Sequence, residues 1–418
     1  MVARPLPSPS SPPVRGAGFL GIDRGGWLIF AAQALSGLGT APFTVFGAIY
    51  QRQLGASAFE IGLIAAAGMA VSTLCMLPGT RLAEGYQLRP TILLGWLIAI
   101  PGPLAYALAP GWGVTAVGTV LLAASVINTP ALNVYLSLGV PRDRIAMVMT
   151  VVLSSYSLGL IVATPLTGWL AEAIGIRALF WLSLLTFVLA AVFVVSLPRR
   201  ELPEDSLAGT GYGELFKARD YMTLLTLFSA LTMIIFMPWP FLPLYAKQVM
   251  HAGDFAIGGL MAALYLGSVL CGLLLGRLRM AIGCLWVVVS FELLYVASAV
   301  GLLAAASVPV LALAFFLRGA FWSFRQVMTA VIGEALPNRA LPKGYGLFAL
   351  VSGATAALAY PLGGWLFAAG PARPILVGAV MMLLALPVTF ALHRAFKPKP
   401  RLVEAAAAPD AEDWPLAA

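Results

Sequence analysis

Two arginines stand inside an apolar run of the chain, where a charged side chain needs a physical reason. Arg318 and Arg325 are seven residues apart in a stretch that reads AFFLRGAFWSFRQ from residue 314. On a helix this spacing places both on one face, about 10 Å apart. A guanidinium at the centre of a membrane helix costs roughly 2.5–3.5 kcal/mol on insertion scales, so we expect both to face a cavity or a partner. Because a guanidinium binds carboxylate or phosphate through two parallel hydrogen bonds, the pair predicts an anionic group in a ligand.

Trp322 lies on the same stripe as the two arginines, and Gln326 directly follows Arg325. An indole ring stacks on organic molecules, and an amide both donates and accepts hydrogen bonds. We therefore predict that Arg318, Trp322, Arg325 and Gln326 bind substrate together. Trp239 lies near the predicted end of another apolar run, where aromatic residues usually anchor a helix at the membrane interface, and we expect that role for it.

Glu292 is the acidic residue that the sequence places deepest within an apolar run. One hypothesis is a structural ion pair with Arg318 that tethers two neighbouring helices, which would leave Arg325 alone for substrate. The other makes Glu292 a carrier of a coupling proton, since carboxylates inside membranes often relay protons. The sequence leaves both open.

Polar side chains also recur at helical spacing in two other runs. Ser125, Thr129, Asn133 and Ser137 are four residues apart, with Asn128 beside them, while Gln33, Ser36, Gly37, Thr40 and Thr44 form a similar series near the N-terminus. Serine and threonine hydroxyls in membranes commonly bond their own or a neighbouring helix. Amides need several partners, so Gln33, Asn128 and Asn133 are the candidates for lining a cavity.

The composition identifies the class of protein to which these residues belong. Of 418 residues, 61% are hydrophobic and only 10% are charged, against about 25% charged in ordinary soluble domains. These values exclude a soluble, secreted or disordered protein and predict a membrane protein with many spans. Runs of about 20 apolar residues, the length needed to cross a bilayer, occur at twelve places. They are 27–50, 59–80, 91–109, 114–138, 146–170, 178–197, 222–246, 256–276, 283–306, 309–332, 346–369 and 375–394.

Charge and composition divide the chain into five parts. Residues 1–26 and 395–418 are predicted to be disordered tails, 27–197 and 222–394 two six-helix bundles, and 198–221 the linker between them. Nineteen Lys and Arg residues fall on the side of the tails and four on the opposite side. Positive charge concentrates on the cytoplasmic side of membrane proteins, so we expect both termini in the cytoplasm of a multi-pass plasma (inner) membrane protein.

The second half repeats the first at one offset of 196 residues. At that offset Pro42 meets Pro238, Cys75 meets Cys271 and Arg177 meets Arg373, while the segment PLTGWL at 165–170 meets PLGGWL at 361–366. Chance similarity of apolar helices explains matching leucines but not matching Pro, Trp, Arg and Gly residues. Six spans separate the copies, so both halves share one orientation. Parallel repeats of this kind occur in transporters, with substrate sites between the halves near the membrane midplane.

With these features the sequence resembles the major facilitator superfamily over residues 27–394. Its loop signature Gly-x-Leu-Ala-Asp-x-x-Gly-Arg-Lys/Arg is similar to TRLAEGYQLR at 80–89, where Leu82, Ala83 and Arg89 match and Glu84 replaces the aspartate. The antiporter signature Gly-Pro-x-x-Gly-Gly of the fifth span is similar to the segment TPLTG at 164–168. The resemblance implies gating loops and places of helix bending and close packing. The gating residues are Arg81, Glu84, Arg89, Arg144 and Arg277; the packing residues are Pro165, Gly168, Pro361, Gly363 and Gly364.

The resemblance implies an all-α membrane protein with twelve transmembrane helices in two parallel six-helix bundles. It also implies a secondary active transporter that moves a small organic solute by alternating access, coupled to an ion. The arginines favour an anionic or polar metabolite; a proton-coupled multidrug or metabolite efflux antiporter is the alternative. We expect no enzyme activity, cofactor, metal or nucleic-acid partner, and we expect a monomer whose partners are substrate, lipid and protons. The alternative of another class is a membrane assembly or sensor protein on the same scaffold that transports nothing.

Overall fold

The fold is described from a computed structural model that covers residues 22–85, 88–138, 144–200, 215–216, 218–305, 307–334, 336 and 341–393. In this part of the chain twelve helices are long and apolar enough to cross a membrane, which confirms the predicted all-α class. We number these spans α1 to α12. Unbroken spans are α1 Arg24–Gln53, α2 Ala58–Gly85, α5 Ile145–Ile174, α6 Ile176–Val195, α8 Asp254–Ile282, α9 Cys284–Ala304, α11 Leu341–Ala369 and α12 Arg373–Ala391.

Four spans are built from shorter helical pieces. They are α3 with Leu88–Ala99 and Pro101–Leu108, α4 with Trp112–Ala124, Ser125–Asn128 and Thr129–Leu138, α7 with Arg219–Phe236, Trp239–Phe241 and Leu242–Gln248, and α10 with Val308–Arg318 and Ala320–Glu334. The middle pieces of α4 and α7 are 3₁₀-helical. Prolines stand at three of the four breaks (Pro101, Pro130 and Pro238), where they remove an α-helical hydrogen bond, and Gly319 stands at the fourth.

The first span begins earlier than its hydropathy predicts. Residues 24–26 were expected in the N-terminal tail, but they form the first turn of α1 because the Asp23 carboxylate accepts a hydrogen bond of 2.9 Å from the Gly26 N–H. Arg200, at the start of the predicted linker, pairs with Asp23 and lies over the Tyr135 ring of α4. Residues 219–221 likewise belong to α7 and not to the linker.

Since twelve spans return the chain to its starting side, we call the side from which α1 enters the tail side and the other the far side. The N-terminal bundle packs α1 against α5 and α6, and the C-terminal bundle packs α8 against α10 and α9 against α12. Between the bundles, α5 packs on α8 and α2 on α11. These two crossings lie in the far half of the molecule.

At the crossing of α5 with α8, Gly168 and Gly258 bring the two backbones together. A Cβ atom added to Gly168 would lie 2.6 Å from the Asp254 carbonyl oxygen, and one added to Gly258 would lie 2.5 Å from that of Thr164. Because the obstructing atoms belong to backbone, no side-chain rotation relieves the contact. Close approach of helices through small residues is the usual means of helix association in membranes.

The crossing of α2 with α11 has the same construction. A Cβ atom on Gly364 would lie 2.5 Å from the Ala58 carbonyl oxygen, and one on Gly62 would lie 2.5 Å from that of Tyr360. Each of these four residues follows or precedes its counterpart in the other crossing by 196 residues. The pairs are Gly168 and Gly364, Asp254 and Ala58, Gly258 and Gly62, and Thr164 and Tyr360. The repeat in the sequence is therefore a twofold relation between contacts in space.

Polar contacts distinguish the two crossings. Glu172 of α5 accepts a hydrogen bond of 2.9 Å from the Phe255 N–H, so a carboxylate of one bundle caps the first turn of α8 in the other. Lys247 pairs with Asp254 at 2.7 Å and ties α7 to the same end of α8. The α2 helix is capped locally instead, by Ser57 and Glu60, which exchange hydrogen bonds with each other's backbone N–H groups.

Replacing Gly258 by alanine is expected to weaken closure of the far side, because the new methyl group must displace the α5 backbone at Thr164. Gly259→Ala is the matched control, since a Cβ atom there meets open space. A cysteine introduced at Ala48, in the far half of α1, reports access from the far side. We expect a membrane-impermeant maleimide to label it several-fold faster in Gly258→Ala than in Gly259→Ala.

This labelling is measured in sealed vesicles of one orientation, with Cys75, Cys271 and Cys284 replaced by serine so that the introduced thiol reacts alone. Equal labelling rates in the two glycine variants would show that the crossing of α5 with α8 does not control access to the far side.

Candidate substrate-binding site

A cavity of about 460 Å³ lies between the bundles in the far half of the protein. Its wall comes from α1, α2, α3 and α4 of the N-terminal bundle and from α7 and α8 of the C-terminal bundle. None of the described lining residues is charged. The polar ones are Thr40, Thr44, Gln51, Tyr106, Thr119, Trp239 and Tyr265, and the large apolar ones are Phe43, Ile61, Ile64, Met69, Leu122, Leu242, Met261 and Leu264. A volume of this size suits a small organic molecule.

A chain of hydrogen bonds joins α1, α3 and α4 at one wall. The Gln51 Nε2 donates to the Tyr106 hydroxyl at 2.9 Å, and that hydroxyl lies 2.7 Å from the Thr119 Oγ1. The Thr119 hydroxyl lies 3.0 Å from the Thr115 carbonyl oxygen, to which it donates. Gln51 and Tyr106 are buried, so these bonds satisfy polar groups that would otherwise be costly inside a membrane protein.

An aromatic cluster of α7, α10 and α11 borders the cavity on its tail side. Trp239 lines the cavity and meets Trp322 edge to face, with ring centroids 5.8 Å apart. Phe236 and Phe321 pack behind them, and Phe236 contacts Tyr360 at 5.6 Å. Trp239 is thus part of the wall between the bundles, and the expectation that it anchors a helix at the interface is wrong.

Trp322 lies behind Trp239 and is half buried. Its indole Nε1 is enclosed and has no hydrogen-bond partner, which leaves one donor available near the aromatic cluster. Arg325 follows one turn nearer the tail side, and its side chain is exposed although it interacts electrostatically with Tyr360. Tyr360 lies at the α2–α11 crossing, so Arg325 faces the region between the bundles. The Gln326 side chain lies outside the part that the structure describes.

Arg318 does not face the cavity, and this corrects the prediction that both arginines bind substrate. The side chain is only 2% exposed, and its guanidinium stacks on the Tyr295 ring of α9 with Cζ 4.1 Å from the ring centroid. None of its three nitrogens has a hydrogen-bond partner. The helix is interrupted at Gly319, between Arg318 and Arg325. The two side chains therefore do not lie on one face of a continuous helix.

Glu292 is completely buried between α9 and α12. Its Oε1 accepts a hydrogen bond of 2.6 Å from the Thr389 hydroxyl, while Oε2 has no partner. No ion pair joins it to Arg318 among the described contacts, so the hypothesis of a structural pair is wrong for this conformation. The Arg318 cation instead uses the face of Tyr295, one turn along α9 from Glu292.

The amide candidates occupy three different environments. Asn128 packs against α3, because a Cβ atom on Gly95 would lie 2.5 Å from the Asn128 Cβ, and it is not among the residues that line the far-side cavity; its role in binding stays a prediction. Gln33 and Asn133 are half buried, lie in the tail halves of α1 and α4, and are not among the residues that line the far-side cavity.

The predicted gating residues lie at the tail side. Arg81 and Arg277 are exposed at equivalent ends of α2 and α8, and Arg144 is exposed at the start of α5. Arg89 of α3 donates to the carbonyl oxygen of Val195 at the end of α6. The Glu84 side chain lies outside the described part. Their role in gating stays a prediction.

The residues predicted to allow close packing lie in α5 and α11. Pro165 and Pro361 are inside their helices, and Gly168 and Gly364 form the crossings. Gly363 faces the backbone of α7 at Met237. Their role in the conformational cycle stays a prediction.

The sequence interpretation missed Gln51 and its partners Tyr106 and Thr119. The signal was present in α1, where the spacing of Thr40 and Thr44 extended by seven residues reaches Gln51. The hydropathy run ends at residue 50, so Gln51 falls just outside the predicted span. In the described residues no three His, Cys, Asp or Glu side chains form a group that could hold a metal ion.

Replacing Arg318 by methionine is expected to leave the thermal unfolding temperature unchanged or to raise it. Methionine keeps the packing on Tyr295 but removes a buried charge that makes no hydrogen bond, and replacing buried charges by apolar residues is often neutral or stabilising. The measurement is thermal unfolding of the purified protein in detergent. A decrease of more than about 5 °C, a loss on the order of 1–2 kcal/mol, would contradict this interpretation of Arg318.

The chain matches the model of one protein family and is similar in fold to several solved structures. The model of the Major Facilitator Superfamily matches residues 29–278 and 232–415. A crystal structure of a mutant of the nucleoside transporter NupG has a TM-score of 0.75 and 12% identity, covering 89% of this chain and 100% of that one. A bacterial homologue of the human lysosomal transporter Spinster, inward-facing and unoccupied, has a TM-score of 0.69 and 14% identity, with 93% and 98% covered.

A third similar structure is a POT family transporter in complex with 5-aminolevulinic acid, with a TM-score of 0.72, 14% identity, and 91% of this chain and 98% of that one covered. No curated protein matches the chain. Identities this low show a shared fold and leave the solute open. The family model, by contrast, extends over nearly all twelve spans, and the chain therefore belongs to the major facilitator superfamily of membrane transporters.

Proposed function

We propose that this protein is a secondary active transporter that moves a small organic solute, an anionic or polar metabolite, by alternating access. The observation that supports this most directly is the pair of equivalent glycine crossings between the bundles. They join the two halves on the far side through contacts that a rocking motion of the halves, about an axis in the membrane plane, would have to break. The cavity they adjoin lies between the halves, as an alternating-access site requires.

Arg325 supports the anionic part of the proposal. It is exposed, faces the region between the bundles through its interaction with Tyr360, and lies beyond the aromatic cluster on the tail side of the cavity. A carboxylate or phosphate group of a solute entering from the tail side meets this guanidinium before it meets Trp322 and Trp239. Bidentate binding there would orient the solute with its remaining part toward the cavity.

Ion coupling and membrane location complete the proposal. The solute gradient or a proton gradient supplies the energy, and Glu292 with its unpartnered Oε2 is the candidate carrier of a proton. The excess of Lys and Arg on the tail side supports cytoplasmic termini, and the proposed location is the plasma membrane.

The proposal is tested by flux in proteoliposomes that contain the purified protein. A panel of organic anions, neutral polar metabolites and cationic dyes is offered, each with and without a pH gradient. Saturable uptake of an anion or neutral metabolite supports the proposal, and stimulation by the gradient supports proton coupling. Dye transport alone would support the efflux antiporter instead, and the absence of flux across the whole panel would favour a sensor or assembly protein.

Arg325→Gln is expected to lower the transport of an anionic solute about 10- to 100-fold, because a hydrogen bond between charged groups contributes about 1.5–3 kcal/mol. Arg325→Lys keeps the charge but loses the bidentate geometry, so its activity is expected to lie between the two. The measurement is initial uptake rate as a function of solute concentration.

Arg219→Gln is the matched control, since Arg219 is also an exposed arginine but lies at the tail-side start of α7. It should transport like the unchanged protein. If Arg325→Gln and Arg219→Gln have equal rates, Arg325 does not bind the solute.

A further inference from the structure

The hydroxyl hydrogens in the wall of the far-side cavity are already committed to other oxygens. Thr40 donates to the Ser36 carbonyl oxygen at 2.7 Å, and Thr44 donates to that of Ala41 at 3.0 Å. Thr119, as described above, donates to a carbonyl oxygen of its own helix. Each of these threonine oxygens therefore keeps lone pairs but has no hydrogen left to offer.

The committed threonine hydrogens determine the direction of the hydrogen bonds that the tyrosine hydroxyls of the wall make. Because the Thr119 hydrogen is committed, the Tyr106 hydroxyl must be the donor in their 2.7 Å contact, and it accepts from Gln51. Tyr265 of α8 also interacts with the Thr44 hydroxyl, and because the Thr44 hydrogen is bonded to the Ala41 carbonyl oxygen, Tyr265 is the group of this pair that can donate. In both pairs a tyrosine hydroxyl is the donor and a threonine oxygen is the acceptor.

After these hydrogen bonds are counted, the wall of the far-side cavity has several free acceptors and few free donors. Among the described lining residues, the side-chain donors still available are the second amide hydrogen of Gln51 and the indole N–H of Trp239. No arginine, lysine or histidine is among them. An anion entering the cavity would lose its hydration and find almost no replacement, which is costly in a site of low polarity. A solute with its own O–H or N–H donors would find several oxygens to accept them.

We propose that the far-side cavity binds an uncharged part of a solute that presents hydroxyl or N–H donors on an apolar body. Phe43, Met69, Met261 and Leu264 supply the apolar surface, and methionines adapt to bodies of different shape. The volume of about 460 Å³ limits the body to a small molecule. This deepens the proposed function, on which it rests for the claim that the bound solute is carried. In a solute that also has an acidic group, that group stays near Arg325, beyond the Trp239–Trp322 pair.

The test measures binding, so that it is independent of flux. Three probes share one ring and differ in the groups they offer: resorcinol has two O–H donors, 1,3-dimethoxybenzene has acceptors only, and isophthalate has two carboxylates. Each is titrated into the purified full-length protein in detergent, and its Kd is obtained from the rise of the unfolding temperature with probe concentration. We expect resorcinol to bind at least about tenfold more tightly than either of the other two.

Thr44→Val keeps the shape of the wall but removes an acceptor and frees the Tyr265 hydrogen to point into the cavity. The Kd of resorcinol is expected to rise about fivefold in this variant, while 1,3-dimethoxybenzene binds more tightly than before. Thr44→Ser keeps the acceptor and should restore the original order of the probes. Thr186→Val is the matched control, because the Thr186 hydroxyl donates to the Ser183 carbonyl oxygen inside α6, away from the cavity.

Tighter binding of isophthalate or 1,3-dimethoxybenzene than of resorcinol, or no binding of any probe, would overturn the inference. So would unchanged affinities of the probes in Thr44→Val. If resorcinol binds as expected but no solute of the flux panel is transported, the cavity assignment stands and the proposed function fails. If flux occurs while the probes bind without discrimination, the proposed function stands and this inference fails.

Discussion

Backbone contact through glycine between the two bundles is the constraint on which the rest of this structure depends. In a lipid environment, helices gain little from the hydrophobic effect when they associate, so close packing must hold them together. Gly168 with Gly258 and Gly62 with Gly364 give α5 with α8 and α2 with α11 the shortest possible approach. The far-side cavity lies beside these crossings, between helices of the two bundles.

The two bundles handle polarity in opposite ways. In the N-terminal bundle a continuous chain of bonds joins the buried polar groups of the cavity wall, from Gln51 through Tyr106 to Thr119. The C-terminal bundle buries the ionisable side chains of Arg318 and Glu292, and each has polar atoms without a hydrogen-bond partner. The backbones of the two bundles are thus related by a twofold axis, but their buried side chains differ in chemistry. The N-terminal bundle bonds the polar groups of its cavity wall to one another, whereas the C-terminal bundle holds the buried Arg318 and Glu292.

The fold could be predicted from the sequence because its signals are long and repeated. Hydropathy locates the spans, and the offset of 196 residues identifies pairs such as Gly168 and Gly364 that meet equivalent partners. The site was predicted less well because it depends on where single side chains point. The seven-residue spacing predicted that Arg318 and Arg325 share one helical face. In the structure the helix breaks at Gly319, and Arg318 packs on the Tyr295 ring inside the bundle. Gln51 was missed because an amide at the end of a span resembles a solvated residue until its partner on α3 is known.

The cap that Glu172 places on α8 makes the two crossings unequal. Its counterpart in the other half is Ala368, which has no group to offer, while α2 is capped within its own chain by Ser57 and Glu60. A cap of this kind contributes about 1 kcal/mol. Separation of the two halves on the far side would therefore break a capping hydrogen bond between the bundles at α5 and α8, and no equivalent bond at α2 and α11.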